Sequence, residues 1–196
     1  MDWTGTSQSL FATLGSSSHS ERDRETHDFY ATEPRAVELL CDLERFHPVI
    51  LEPACGKGHI AEVLTGRGYA VIAEDLIDRG YGKGGVDFLS RLEIELLDLD
   101  IITNPPYALA QRFVEKSLEI VKPGRRVAMF LKLTFLEGQN RRKLFELFPP
   151  ELIYVSSSRL VCSLNGTFEE KGSAACYAWF IWRKGFKGEP RLRWFN

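Results

Sequence analysis

The chain has 196 residues, 44% of them hydrophobic, and a formal net charge of −2. This suits one globular domain with a full core, at the usual roughly 100–200 residues per domain, and a second domain is not expected. No apolar run nears the roughly 20 residues of a membrane span and no charged-then-apolar leader opens the chain. Cys41, Cys55, Cys162 and Cys176 lie far apart, without CxxC or metal-ligand spacing, so composition excludes a membrane protein, a disulfide framework and a thiolate metal centre. The expectation is a reduced, cytoplasmic chain whose cysteines sit in the core.

Residues 1–27 are rich in Ser, Thr and charge without a sustained period, as in a flexible arm, which leaves 28–196 as the folded domain. An apolar pattern at helical spacing then covers 33–45, with Thr32 placed to cap it and Pro34 in its first turn. Beyond it, strands and helices alternate. The pattern predicts strands at 48–52, 69–73, 99–103, 126–132, 151–156 and 174–183, and helices at 58–66, 108–121 and 139–147. Such alternation implies a mostly parallel sheet covered by helices, and the long link before the last strand allows an antiparallel end. Trp179, Phe180, Ile181 and Trp182 alternate faces of that strand and read as core.

"VILEPACGKGHIAEVL" has the strand, turn and helix order of a loop that admits a ligand to the backbone, with Gly56 and Gly58 free of an obstructing Cβ. Gly56, Gly58 and Ala61 also satisfy a dinucleotide pattern, with Asp75 correctly spaced downstream, so a nicotinamide oxidoreductase is a rival reading. Glu52 and Pro53 precede the glycines, however, and a carboxylate there repels a pyrophosphate but receives an ammonium group. At the next strand end Glu74 and Asp75 are both placed to accept ribose hydroxyls, Asp75 being preferred. Asp87 and Phe88 follow as candidates to bond and stack an adenine. Acids recurring at successive strand ends mark the edge where open α/β sheets bind ligands.

After the apolar run 99–103 comes Asn104-Pro105-Pro106-Tyr107. Each proline fixes φ and removes an N–H, and Pro106 restricts Pro105, so the carbonyls here point in fixed directions. A stiff carbonyl, an amide and an aromatic ring at a strand end suit a flat, amine-bearing group.

Glu52-Pro53-Ala54-Cys55-Gly56-Lys57-Gly58 and Asn104-Pro105-Pro106-Tyr107 resemble the first and fourth motifs of the S-adenosylmethionine-dependent amino-methyltransferases, the adenine-N6 type in particular. "DFYATEP" resembles the motif at the methionine end of the cofactor. "LTFLEGQNRRKLFELFPPELIYVSSSR" and "YAWFIWRKGFKGEPRLRWF" are similar to small methyltransferases often carried by phages and prophages. The resemblance covers roughly residues 27–196. It implies a Rossmann-like class I α/β domain with a seven-stranded sheet and a reversed last strand. It also implies roles: Tyr30, Thr32 and Pro34 near the methionine carboxylate, Glu52, Pro53, Ala54, Gly56 and Gly58 around the methionine moiety, Asp75 and its neighbour Leu76 at the ribose, Asp87 and Phe88 at the adenine. Glu33 stands where relatives often have proline, and the intervals leave no room for a separate target-recognition domain.

An exocyclic aryl amine is a weak nucleophile because its lone pair is delocalised into the ring. If the Asn104 oxygen and the Pro105 carbonyl each accept one N–H, the lone pair localises toward the methyl donor, and Tyr107 stacks on the extruded base. The expected partner is DNA, with RNA or a protein glutamine fitting the same acceptors and a non-catalytic binding module as a further alternative; no metal is called for. Charge agrees with a polyanion. Residues 1–100 carry 9 Lys/Arg and 19 Asp/Glu, a balance of −10, whereas 101–196 carry 16 and 8, a balance of +8. Seven basic residues fall in "KPGRRVAMFLK" and "QNRRKLF", and Arg141, Arg142 and Lys143 are the candidate phosphate contacts.

Overall fold

The computed structural model describes residues 30–93, 95–158, 160, 162–164 and 175–196. The arm expected at 1–27, the start of the "DFYATEP" motif and the first residue of the strand expected at 174–183 lie outside the described residues. Strands β1 (Tyr30–Thr32), β2 (Val49–Glu52), β3 (Ala70–Ala73), β4 (Asp100–Thr103), β5 (Arg126–Lys132), β6 (Leu152–Ser156), β7 (Cys162–Leu164), β8 (Tyr177–Arg183) and β9 (Arg191–Phe195) combine with helices α1 (Pro34–Leu43), α2 (His59–Gly66), α3 (Ala110–Ile120) and α4 (Gln139–Leu147). Seven strands form one sheet in the order β3-β2-β4-β5-β8-β6-β9, and β1 pairs with β7 in a separate antiparallel ribbon.

Within the sheet β8 alone runs against its neighbours β5 and β6, as the reversed strand of the resemblance requires. Burial explains the apolar runs. Ile50, Ile102, Ala128, Phe130, Trp179 and Ile181 face α1 and α2, while Leu51, Ile101, Val127, Met129, Phe180 and Trp182 face α3 and α4. Both faces are covered, so the central strands read as continuous rather than alternating hydrophobic runs. The buried indoles are satisfied as well, Trp179 Nε1 donating to the Ala36 carbonyl at 2.8 Å and Trp182 Nε1 to that of Phe148 at 3.0 Å.

Three differences from the sequence reading concern this frame. Thr32 does not cap α1: it ends β1, Glu33 is the capping residue, and no side chain caps the helix. The seventh strand of the sheet is β9, whose first four residues are exposed and whose pattern therefore carries little apolar signal. The β1 and β7 ribbon is three residues long on each side and depends on pairing across 130 residues of chain, from Thr32 to Cys162. The cysteines are free, but only Cys41 and Cys55 are buried, while Cys162 is half-buried and Cys176 exposed. Among the described residues no helix is long and apolar enough to cross a membrane.

Candidate functional site

The chain leaves β2 for β3 on one side and returns to β4 on the other, and ligands bind in open α/β sheets at such a reversal. A cavity of about 710 Å³ lies there, walled by residues at the carboxyl ends of β2, β3, β4 and β5 and by the β1 ribbon. Of the residues expected at the site, Tyr30, Thr32, Glu52, Pro53, Ala54, Asp75, Leu76, Asp87, Phe88, Asn104, Pro106 and Tyr107 line it. Pro34, Pro105, Gly56 and Gly58 do not.

Glu52 ends β2 and is 1% exposed. Its Oε2 has no hydrogen-bond partner, and burial pushes its carboxyl up to about 8, opposed by the Ala61 N–H and reinforced by the Asp75 charge. Asp75 follows β3, accepting the Gly56 N–H on Oδ2 and the Ile77 N–H on Oδ1, both at 2.8 Å. Gly56 thus serves the site through this bond, at φ 56°, rather than by lying bare in the wall. Glu74, the rival of Asp75, is buried and ion-paired to Arg91. Asp87 accepts the Leu89 N–H at 3.0 Å and so fixes the turn that places Phe88, whose ring packs 5.0 Å from that of Phe113.

Gly58 caps α2 at φ 89°, and a Cβ there would lie 2.5 Å from the Tyr81 ring. Its missing side chain admits that ring, and Gly58 is not among the residues that line the cavity. The Tyr81 ring stands over Gly58 at the amino end of α2, where the dinucleotide pattern would seat a pyrophosphate.

On the far side, Asn104 follows β4. Its Nδ2 donates to the Tyr30 carbonyl at 2.9 Å and meets Cys162 Sγ at 3.7 Å, which turns Oδ1 inward as a buried acceptor without a partner. Thr32 Oγ1 is a third buried, unpartnered oxygen in the same wall. Native proteins pair nearly all such atoms, so three in residues that line one cavity mark a place for a polar ligand. Tyr107 is not the exposed ring expected from the sequence. It is half-buried, 5.3 Å from the Tyr30 ring, with its hydroxyl 3.0 Å from that of Tyr177 and Lys132 Nζ 4.5 Å from its centroid. Burial holds both phenols protonated, far above the usual range, and pushes the Cys162 thiol up to about 11. None of the three supplies a base at neutral pH.

Sequence reasoning missed Lys132, Tyr177 and Cys162. In the sequence Lys132 is charge without a place, and the other two arrive on strands far along the chain. The basic cluster, by contrast, dissolves in space: β5 is about 20 Å long and separates Arg126 from Lys132. At its amino end Arg126 pairs with Glu44, while Lys122 and Arg125 pair with Asp98. Arg141 is also committed, donating to the carbonyls of Thr134 and Glu137 with its guanidinium over Phe135. Arg142 and Lys143 are exposed, Arg142 in a surface pair with Glu146. Among the described residues no His, Cys, Asp and Glu cluster is suited to a metal.

No family model matches the chain, and no curated protein does. Solved structures do. A candidate class I S-adenosylmethionine-dependent methyltransferase from Listeria monocytogenes superposes with a TM-score of 0.59 at 15% identity, over 95% of this chain and 70% of that one. A candidate RNA methyltransferase from Pyrococcus horikoshii gives 0.57 at 16%, over 92% and 98%. The modification subunit of a candidate type I restriction enzyme from Vibrio vulnificus gives 0.59 at 12%, over 95% of this chain and half of the subunit. With its strand order and reversed β8, the chain has the Rossmann-like fold of the class I methyltransferases.

Proposed function

We propose that the chain transfers a methyl group from S-adenosylmethionine to the N6 amino group of adenine in DNA. The observation that carries this is the orphaned, buried Asn104 oxygen, set by its own amide nitrogen in a residue that lines the same cavity as Glu52 and Asp75. When bound, S-adenosylmethionine supplies a sulfonium methyl. Glu52 receives its ammonium group, Asp75 its ribose hydroxyls, and Asp87 with Phe88 the adenine edge and face. Asn104 Oδ1 and the Pro105 carbonyl accept the two N–H groups of the target amine, which localises the nitrogen lone pair toward the methyl. As the carbon–sulfur bond breaks and the carbon–nitrogen bond forms, positive charge grows on that nitrogen beside these fixed dipoles, and the extra proton then leaves to solvent.

The test is transfer of labelled methyl to duplex DNA, single-stranded DNA, RNA and protein in parallel, with the modified group identified. N6-methyladenine in DNA is expected. Asn104→Ala should lower turnover by about 10²–10³ while cofactor affinity measured by calorimetry persists, the signature of a group acting in the transition state. Full transfer by Asn104→Ala, or binding of NADH without binding of S-adenosylmethionine, would sink the proposal.

A further inference from the structure

Lys132 presents a problem for the reaction just proposed. It ends β5 in the wall of the cavity, no carboxylate pairs with it among the described residues, and its ammonium lies over the Tyr107 ring at 4.5 Å. Tyr107 is the ring on which a target base would stack, so the ammonium holds the place of the substrate. It also carries the wrong sign for the chemistry. Positive charge grows on the transferring nitrogen, and an unpaired cation a few ångströms away opposes it in a partly dehydrated pocket. The ammonium must therefore be displaced or neutralised before transfer.

A phosphate does both. We infer that Lys132 occupies the target slot against Tyr107 in the free protein and moves to a backbone phosphate of the bound strand, so the slot opens for a nucleic acid and not for a phosphate-free amide. The exchange is favourable in each part: a flat base regains the ring face, where stacking outweighs one cation–π contact, and the ammonium gains an anion that no described residue supplies. Lys132 is then a specificity-determining residue, selecting nucleic acid over a glutamine side chain that Asn104 and Pro105 would otherwise also accept. This rests on the proposed transfer to adenine.

Lys132→Met keeps the length of the side chain and removes its charge, and Lys132→Arg restores a cation. DNA binding and steady-state methylation are measured as a function of salt for both variants and the wild type, with deoxyadenosine as a phosphate-free competitor. Lys132→Met should show a salt slope shallower by about 0.9, which is roughly threefold less weakening between 50 and 200 mM salt. Its KM for DNA should rise about tenfold, Lys132→Arg should recover the slope, and deoxyadenosine should inhibit Lys132→Met several-fold more tightly than the wild type. Those opposite shifts are not produced by a merely structural role. An active Lys132→Met with unchanged slope, or one that deoxyadenosine inhibits no better than the wild type, overturns the inference. A wild-type protein that methylates no adenine overturns the proposed function instead.

Discussion

Glu52 is a carboxyl held neutral by its surroundings, with one oxygen waiting for a donor. An arriving ammonium favours the charged form, so cofactor binding should release a proton below about pH 8, and affinity should rise with pH up to that value and level off above it. Calorimetry in buffers of different ionisation enthalpy reads the proton directly. The same group bears on stability. Its folded pKa is raised from 4.5 to about 8, so its neutral form favours the fold below pH 4.5, and that contribution is lost as pH climbs through about 8. Glu52→Gln should therefore melt higher than the wild type at pH 9, match it near pH 4.5, and bind the cofactor more weakly; equal melting at pH 9 would refute the burial account. Tyr107 makes a second residue-scale case. Its ring is proposed to stack and its hydroxyl bonds neighbouring protein side chains, among them Tyr177, so Tyr107→Phe should retain most turnover, whereas Tyr107→Ala should lose roughly 1–3 kcal/mol of productive nucleic-acid binding. A Phe variant as damaged as the Ala variant would give the hydroxyl the larger role.

At the scale of elements, the motifs are strand ends converted into fixed directions. Asp75 ties the Gly56 loop to the end of β3, and the two prolines hand β4 over to a 3-10 turn at Tyr107–Leu109. Gly58 shows how much depends on one backbone angle. Gly58→Ala places a methyl against the Tyr81 ring and forces a left-handed φ, which costs about 1–2 kcal/mol before the ring moves. The melting temperature should fall by several degrees, and a neutral substitution would show that Tyr81 is not seated there. This level was largely legible. The ten predicted strands and helices all exist, because buried parallel strands announce themselves as short branched runs and α1 to α4 as amphipathic ones. What escaped was the exposed strand β9 and the ribbon of β1 and β7, too short to show a period, although the ribbon sets the Asn104 amide through the Tyr30 carbonyl.

The whole molecule shows why counting charge along the chain misleads. Of seven basic residues that are neighbours in sequence, Lys122, Arg125 and Arg126 gather at the amino end of β5 and answer to Glu44 and Asp98, Lys132 stands at its other end, and Arg141, Arg142 and Lys143 lie on α4. Residues brought together by tertiary packing, Lys132 in the cavity wall and Tyr177 and Cys162 against Tyr107 and Asn104, are equally invisible before folding, since no local spacing relates them. The electrostatic prediction is accordingly narrower than the sequence suggested. Replacing Arg142 and Lys143 by Ala should flatten the salt dependence of DNA affinity by about 0.9 for each phosphate that is no longer neutralised, while Arg141→Ala should act on stability instead. An unchanged slope in the double variant would place the strand elsewhere.

The position of β8 has a consequence for the order in which the molecule can be made. It fills the gap between β5 and β6, yet it is synthesised after both. Until residues 177–183 emerge, β5 has one unpaired edge, Trp179 and Phe180 are missing from opposite faces of the sheet, and β6 has no strand to join. Closing the core is therefore a late, long-range event, and the nascent chain carries an open hydrophobic edge from the completion of β5 at Lys132 until Tyr177 and its successors are made. The Asn104 site, whose neighbour Tyr177 begins that same strand, is completed in the step that closes the sheet.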